Sequence, residues 1–99
     1  MAKRGIPPAH PGDHLGEEIK ELGLTANAFA EAIGVPSNRV YQLINGKRNM
    51  SANTALRLAA FFGTSAQMWM NLQTNYDLWH EERAQRRAIK NIKPLNRAA

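Results

Sequence analysis

Apolar residues along this 99-residue chain recur at the i, i+3, i+4 spacing of amphipathic helices in five successive segments. The first opens at Pro11, which suits a first helical position because its missing N–H would have no partner there. Asp13 follows in the first turn, where the helix dipole favours negative charge. Its stripe is Leu15, Ile19 and Leu22, and it ends at Gly23, with Leu24 placed to cap the turn. The second begins at Thr25, whose hydroxyl can accept a first-turn N–H, and buries Phe29, Ala30 and Ile33. Gly34 stops it and Val35 folds back on its last turn. The third, residues 37–45, turns Val40, Leu43 and Ile44 inward and leaves Asn38, Tyr41, Gln42 and Asn45 outward. After the loop GKRNM, Ser51 caps a fourth helix that buries Ala55, Leu58, Ala59 and Phe62 before Gly63. Ser65 caps a fifth, whose Trp69, Leu72, Tyr76 and Trp79 have near-heptad spacing and run on into HEERAQRRAIKNIK before Pro94. There are no internal repeats. The pattern predicts an all-α fold: an arm at residues 1–9, a five-helix domain at 10–79, and a basic helical extension or tail at 80–99.

Two short amphipathic helices hinged at a glycine are the sequence form of a helix-turn-helix, which lays its second helix in a DNA groove. The outward stripe here is amide, phenol and amide. Asn and Gln carry a donor beside an acceptor, the pairing that fits the N6/N7 edge of adenine. Any surface helix owns a polar face, and Tyr41 has a second reading as a residue leaning on the core edge. Charge separates the readings. No acidic residue occurs between Ala32 and Tyr76, whereas Arg39, Lys47, Arg48 and Arg57 fall in that interval. A surface that meets phosphates excludes carboxylates in this way.

The net charge of +5 changes this picture little. From residue 5 to 79 the body carries five basic against six acidic residues, so the excess lies in Lys3, Arg4 and the segment after Trp79. Segregation is the informative quantity: Asp13, Glu17, Glu18, Glu21 and Glu31 occupy the first third and the basic residues of the body follow them. The patch Glu17, Glu18 and Glu21 is either a solvated face, with Lys20 interleaved, or a seat for a basic partner. The run Arg83, Arg86, Arg87, Lys90 and Lys93 either reaches flanking phosphates or forms a tail.

With no cysteine, disulfides, zinc fingers and thiol chemistry are excluded. Neither a spanning stretch nor the apolar heart of a signal peptide is evident, so a soluble protein that stays inside the cell is expected. His10 and His14 have Pro11 and Gly12 between them and need not share a helix face. His80 beside Glu81 and Glu82 lacks a second histidine or a nucleophile, and no glycine-rich phosphate loop occurs. No metal, cofactor or enzymatic activity is expected. The fifth helix, with Tyr76 and Trp79 foremost, is the candidate for a dimer interface, because it offers more apolar surface than one core contact needs.

The segments HPGDHLGEEI, GVPSNRVYQLINGKR and TALRLAAFFGTSAQMWMNLQTNYDL stand in family order, and the chain resembles the HigA-type antitoxins, a branch of the Xre and phage-repressor group of helix-turn-helix proteins. The resemblance implies a homodimer that binds an inverted repeat in its own promoter and silences a co-expressed ribosome-dependent mRNA endonuclease, a basic toxin. It implies base reading by Ser37, Asn38, Arg39, Tyr41, Gln42 and Asn45, and phosphate contacts from Thr25, Asn27, Lys47, Arg48 and Asn49. A solitary phage-like repressor and a toxin-binding module with a degenerate reading helix are the alternatives. Two departures stand out. Ala26 occupies the place of a Gln that clamps the reading helix in many repressors. Pro36 replaces a capping Ser or Thr, so Ser37 is expected to cap one residue later.

Overall fold

The computed structural model describes residues 6–96, which form α1 (Pro11–Leu22), α2 (Ala26–Ile33), α3 (Ser37–Ile44), α4 (Ala52–Phe62), α5 (Ala66–Ala84) and α6 (Arg86–Lys90). Among these residues there is no strand, and Lys3 and Arg4 of the arm lie outside them. Side-chain caps open α1, α2, α4 and α5, and left-handed glycines close α1, α2 and α4. Thr25 accepts the Ala28 N–H at 3.0 Å, Ser65 the Met68 N–H at 3.1 Å, and Ser51 the Thr54 N–H at 3.4 Å. The cap of α1 is an unforeseen imidazole: His10 is buried, and its Nδ1 accepts the Gly12 N–H at 2.9 Å. The expected Ser37 cap is not there. Pro36 is itself the N-cap, in an extended conformation, without a side-chain bond, and Ser37 already belongs to the helix. The first turn of α3 closes instead through the Arg39 N–H and the Pro36 carbonyl at 3.0 Å. At the end of α2, Gly34 takes φ +74°, which lets the Val35 N–H reach back to the Ala30 carbonyl at 3.0 Å.

The core gathers Leu15 and Ile19 of α1, Phe29, Ala30 and Ile33 of α2, Val40 and Leu43 of α3, Met50, Ala55 and Leu58, and Trp69 of α5. Each of the larger side chains contributes about 1.5–3 kcal/mol by leaving water. Phe29 is flanked by Phe61 and Phe62 at ring separations of 5.1 and 5.8 Å, and Phe62 reaches Trp69 at 6.0 Å. Three expectations are corrected. Leu22 is 49% exposed. It lies at the right angle on α1, but that helix meets the rest of the molecule through residues 10–19 and its last turn overhangs. Ala59 and Phe62 are half-buried rather than buried, being near the open end of α4. The run after Trp79 is helical, one of the two expected forms, but not in one piece: α5 continues to Ala84, the helix breaks at Gln85, and a sixth short helix, α6, follows from Arg86, with residues 80–96 exposed throughout.

At Gly12 the backbones of α1 and α3 all but touch. A Cβ on Gly12 would lie 1.6 Å from the Leu43 carbonyl oxygen, so only glycine lets the two backbones approach this closely. One turn on, a Cβ on Gly16 would meet Ile44 Cγ2 at an ordinary 3.5 Å. Gly12→Ala is therefore expected to destabilise the fold by about 2–3 kcal/mol through overpacking. Gly16→Ala should be neutral or stabilising by up to about 1 kcal/mol from helix propensity. Urea unfolding of the two variants beside the parent checks both, and equal effects would contradict the assigned contact.

Candidate nucleic-acid interface

With Val40 and Leu43 in the core, α3 presents its other side to solvent. Asn38, Tyr41 and Asn45 are exposed, and Ser37, Arg39 and Gln42 are half-exposed. At 3.6 residues per turn, Asn38, Tyr41, Gln42 and Asn45 share a sector of about 100°, flanked by Ser37 and Arg39. Tyr41 is 47% exposed and belongs to this outward surface, not to the core edge.

Hydrogen bonds already organise two of these side chains. The Arg48 Nε donates to the Gln42 Oε1 at 2.9 Å. An Arg39 guanidinium nitrogen donates to the Asn53 Oδ1 at 2.9 Å, and the same oxygen accepts from the Arg57 Nε at 3.1 Å. Arg57 also donates to the Ile33 and Gly34 carbonyls at 2.9 and 3.4 Å. A cation thus sits at the negative end of the α2 dipole and ties α4 to the turn between the two motif helices. The turn is held from this side, at Arg57, while Ala26 leaves the opposite side without an amide. Neither Asn53 nor this role of Arg57 was legible in the sequence, where Arg57 counts only as charge.

The loop after α3 is fixed at both ends. Gly46, at φ +71°, sends the Lys47 N–H back to the Gln42 carbonyl at 2.8 Å and its own N–H to the Leu43 carbonyl at 3.0 Å. Lys47 and Arg48, both exposed, are thereby brought beside the outward face of α3. At the other end Gln73, 4% exposed, accepts the Met50 N–H on its Oε1 at 2.6 Å. Its Nε2 donates to the Asn49 Oδ1 at 3.3 Å and to the Asp77 Oδ1 at 2.9 Å. Sequence reasoning passed over Gln73. Its signal was present: it lies four residues after Trp69, on the face that should be apolar.

The remaining candidates are spread over the molecule. The Thr25 hydroxyl oxygen is engaged as the α2 cap, Asn27 is exposed in the first turn, and Asn49 is exposed with its amide oxygen turned to Gln73. Tyr76 is half-buried with its ring 4.9 Å from His10 and 4.3 Å from His80, so much of it is used within the chain. Trp79 is half-buried, with the Arg83 guanidinium 3.5 Å over its ring. On α1, Glu17 and Glu21 are exposed, and the Glu18 carboxylate lies 3.8 Å from the His14 Nε2. Among the described residues no group of acidic or histidine side chains is arranged to hold a metal ion, and no helix is long and apolar enough to cross a membrane.

Comparison with known proteins gives this geometry a context. The family described as Helix-turn-helix matches residues 15–69. Virulence-associated protein I of Dichelobacter nodosus is 42% identical over 95 residues, 95% of this chain and 87% of that protein. Antitoxin HigA-1 of Vibrio cholerae is 38% identical over 96 residues, 96% of this chain and 90% of its own length. Among solved structures, the Pseudomonas aeruginosa antitoxin HigA with the higBA promoter superposes with a TM-score of 0.84 at 38% identity, covering 90% of this chain and 99% of that one.

Gln73→Leu should leave the Met50 N–H buried without an acceptor, a loss of about 2 kcal/mol. The expected outcome is a lower urea midpoint together with faster amide exchange at Met50. Unchanged exchange there would mean that the loop is not held by this side chain.

Proposed function

Because the chain belongs to the helix-turn-helix family, within its HigA-type branch, we propose that it is a sequence-specific DNA-binding antitoxin that represses its own operon. As a pair of identical chains it binds an inverted repeat, each copy laying α3 in the major groove. It acts in the bacterial cytoplasm, at the nucleoid, and it neutralises a basic ribosome-dependent endoribonuclease. The family is one of regulators and not of enzymes. The observation that carries the reading is the bare side of α3, where amides and a phenol stand beside Arg39, Lys47 and Arg48 with no carboxylate in the chain between residues 32 and 76. The promoter complex of the structurally similar HigA supports the same reading.

The work divides between contacts that position and contacts that specify. Lys47, Arg48 and Asn49, with Thr25 and Asn27 at the start of α2, meet phosphates and set register. Asn38, Arg39 and Gln42, with Ser37, Tyr41 and Asn45 around them, face base edges. Tyr76 and Trp79 of α5 serve the contact between copies, and Glu17, Glu18 and Glu21 face the basic toxin.

Mobility shift with the DNA upstream of the chain's own gene tests the reading directly. A specific complex that survives excess random duplex is expected, and its absence would overturn the regulator. Lys47→Ala should weaken binding to all sequences and lower the slope of log affinity against log salt by about one, whereas Gln42→Ala should relax preference at one position. Co-purification with the product of an adjacent small basic reading frame, lost when Glu17, Glu18 and Glu21 are replaced together by Gln, checks the toxin contact.

A further inference from the structure

The sequence pairs Gln42 with adenine, because a free carboxamide offers one donor and one acceptor. In the folded chain that carboxamide is not free. An Arg Nε can only donate, so the atom it meets at 2.9 Å is the Gln42 oxygen, and the amide orientation follows from this. What remains directed away from the pair is the Gln42 NH2 with its two N–H donors, and beside it the terminal N–H groups of Arg48. Resting on the DNA-binding reading above, we propose that Gln42 and Arg48 act as one unit that reads guanine, with Arg48 a specificity residue rather than a simple phosphate contact.

Three observations build this unit. Gln42 lies in the outward sector of α3, half-exposed, between Asn38 and Asn45. The turn at Gly46, closed by the Lys47 N–H on the Gln42 carbonyl at 2.8 Å, brings the chain back over the residue that Arg48 must reach. The far end of the loop is fixed by Gln73 through the Met50 N–H at 2.6 Å, so the backbone carrying Arg48 is anchored two residues on. Both partners are thus placed before DNA arrives, and little order remains to be gained on binding.

The chemistry of the pair selects the base. Guanine alone presents two adjacent acceptors, N7 and O6, to the major groove, whereas adenine presents an acceptor beside a donor. A cationic unit whose amide oxygen is engaged matches the first edge. Against adenine it sets a guanidinium near the N6 amino group, donor against donor. In water the exposed Arg48–Gln42 bond is weak, but docking into the groove removes water and strengthens it. The loop arginine so converts an adenine reader into a guanine reader.

The test uses the full chain and a pool of synthetic duplexes with a randomised stretch of about two helical turns, the bound fraction being sequenced. The parent should enrich a motif with guanine favoured over adenine by about tenfold at one position of each half-site. Gln42→Ala and Arg48→Met should both relax that same position, and the double variant should lose no more there than either single one. Arg48→Met, which frees the Gln42 oxygen, should in addition move the preference at that position towards adenine. Lys47→Ala serves as the control, lowering affinity without changing the motif. Adenine enriched by the parent at the Gln42-dependent position would overturn the proposal while leaving the regulator intact, and so would Arg48→Met weakening all duplexes equally. Failure of the parent to enrich any motif would overturn the DNA reading and this proposal with it.

Discussion

The bare side of α3 exists because the other side is gripped, and the tightest part of that grip is the approach of Gly12 to the Leu43 carbonyl. A helix of eight residues does not hold itself in water. It survives here because α2 packs against it, with Ala30 and Val40 both buried, and α1 lies on it through Gly12 and Gly16, with Leu43 entirely buried. Backbone contact at Gly12 leaves no room for a side chain to buffer the distance. The register of α1 on α3 is therefore specified closely, and with it the angle at which the six outward residues leave the domain. His10 sharpens the constraint, since its imidazole both caps α1 beside Gly12 and packs edge-on against Tyr76 of α5. The helix meant to face outward is thus referred, through one glycine and one histidine, to the longest helix of the molecule.

A second set of polar bonds does for the loop what packing does for the helix. Residues 46–50 form no regular element, yet Gly46 ties their start to Gln42 and Leu43 while Gln73 ties their end to α5. The buried amide of Gln73 uses its oxygen and both N–H groups of its nitrogen in three hydrogen bonds, so this buried side chain is itself satisfied. Cations on a loose loop would pay ordering entropy each time they met a ligand. Held as they are, Lys47 and Arg48 are positioned by the domain itself. Arg57 and Asn53 act similarly at the opposite end of α3, where an exposed network links the α2 terminus, Arg39 and α4.

What was legible in the sequence follows from which forces are local. Thr25, Ser51 and Ser65 cap within one turn of their own position, and Gly34 and Gly63 close helices on residues just before them, so all of these could be read directly. The buried faces of α2 and α3 followed from periodicity alone. Leu22 did not, because periodicity gives the angle of a residue and not how far its neighbour extends. Ser37 was misplaced because proline can itself stand as N-cap and leave the next residue helical. Asn53 and the cap at His10 were invisible for a common reason: each bonds to a partner chosen by tertiary approach or by backbone geometry specific to this fold, whereas Gln73 showed only as a polar residue in an apolar stripe, with its partners unspecified. The outward residues of α3 were legible as a set. Their hydrogen-bonding state was not, since the partner of Gln42 comes from the loop and that of Arg39 from another helix.

That last difference bears on how far a helix-turn-helix can be read as a code. A residue-by-residue reading treats each outward side chain as a free donor or acceptor set, and on that basis an amide specifies adenine. Two of the six outward side chains here, Arg39 and Gln42, meet their partners before any ligand does. For Arg39 the partner is an acceptor, Asn53, which orients the guanidinium and leaves its remaining N–H groups available. For Gln42 the partner is a cation, which removes acceptor capacity and adds charge. One kind of pairing preserves the chemistry implied by the residue type, and the other inverts it. The hydrogen-bonding state of the α3 face therefore belongs to the folded domain, loop included, and a change at position 48 alters the donors and acceptors free at position 42 without touching the helix.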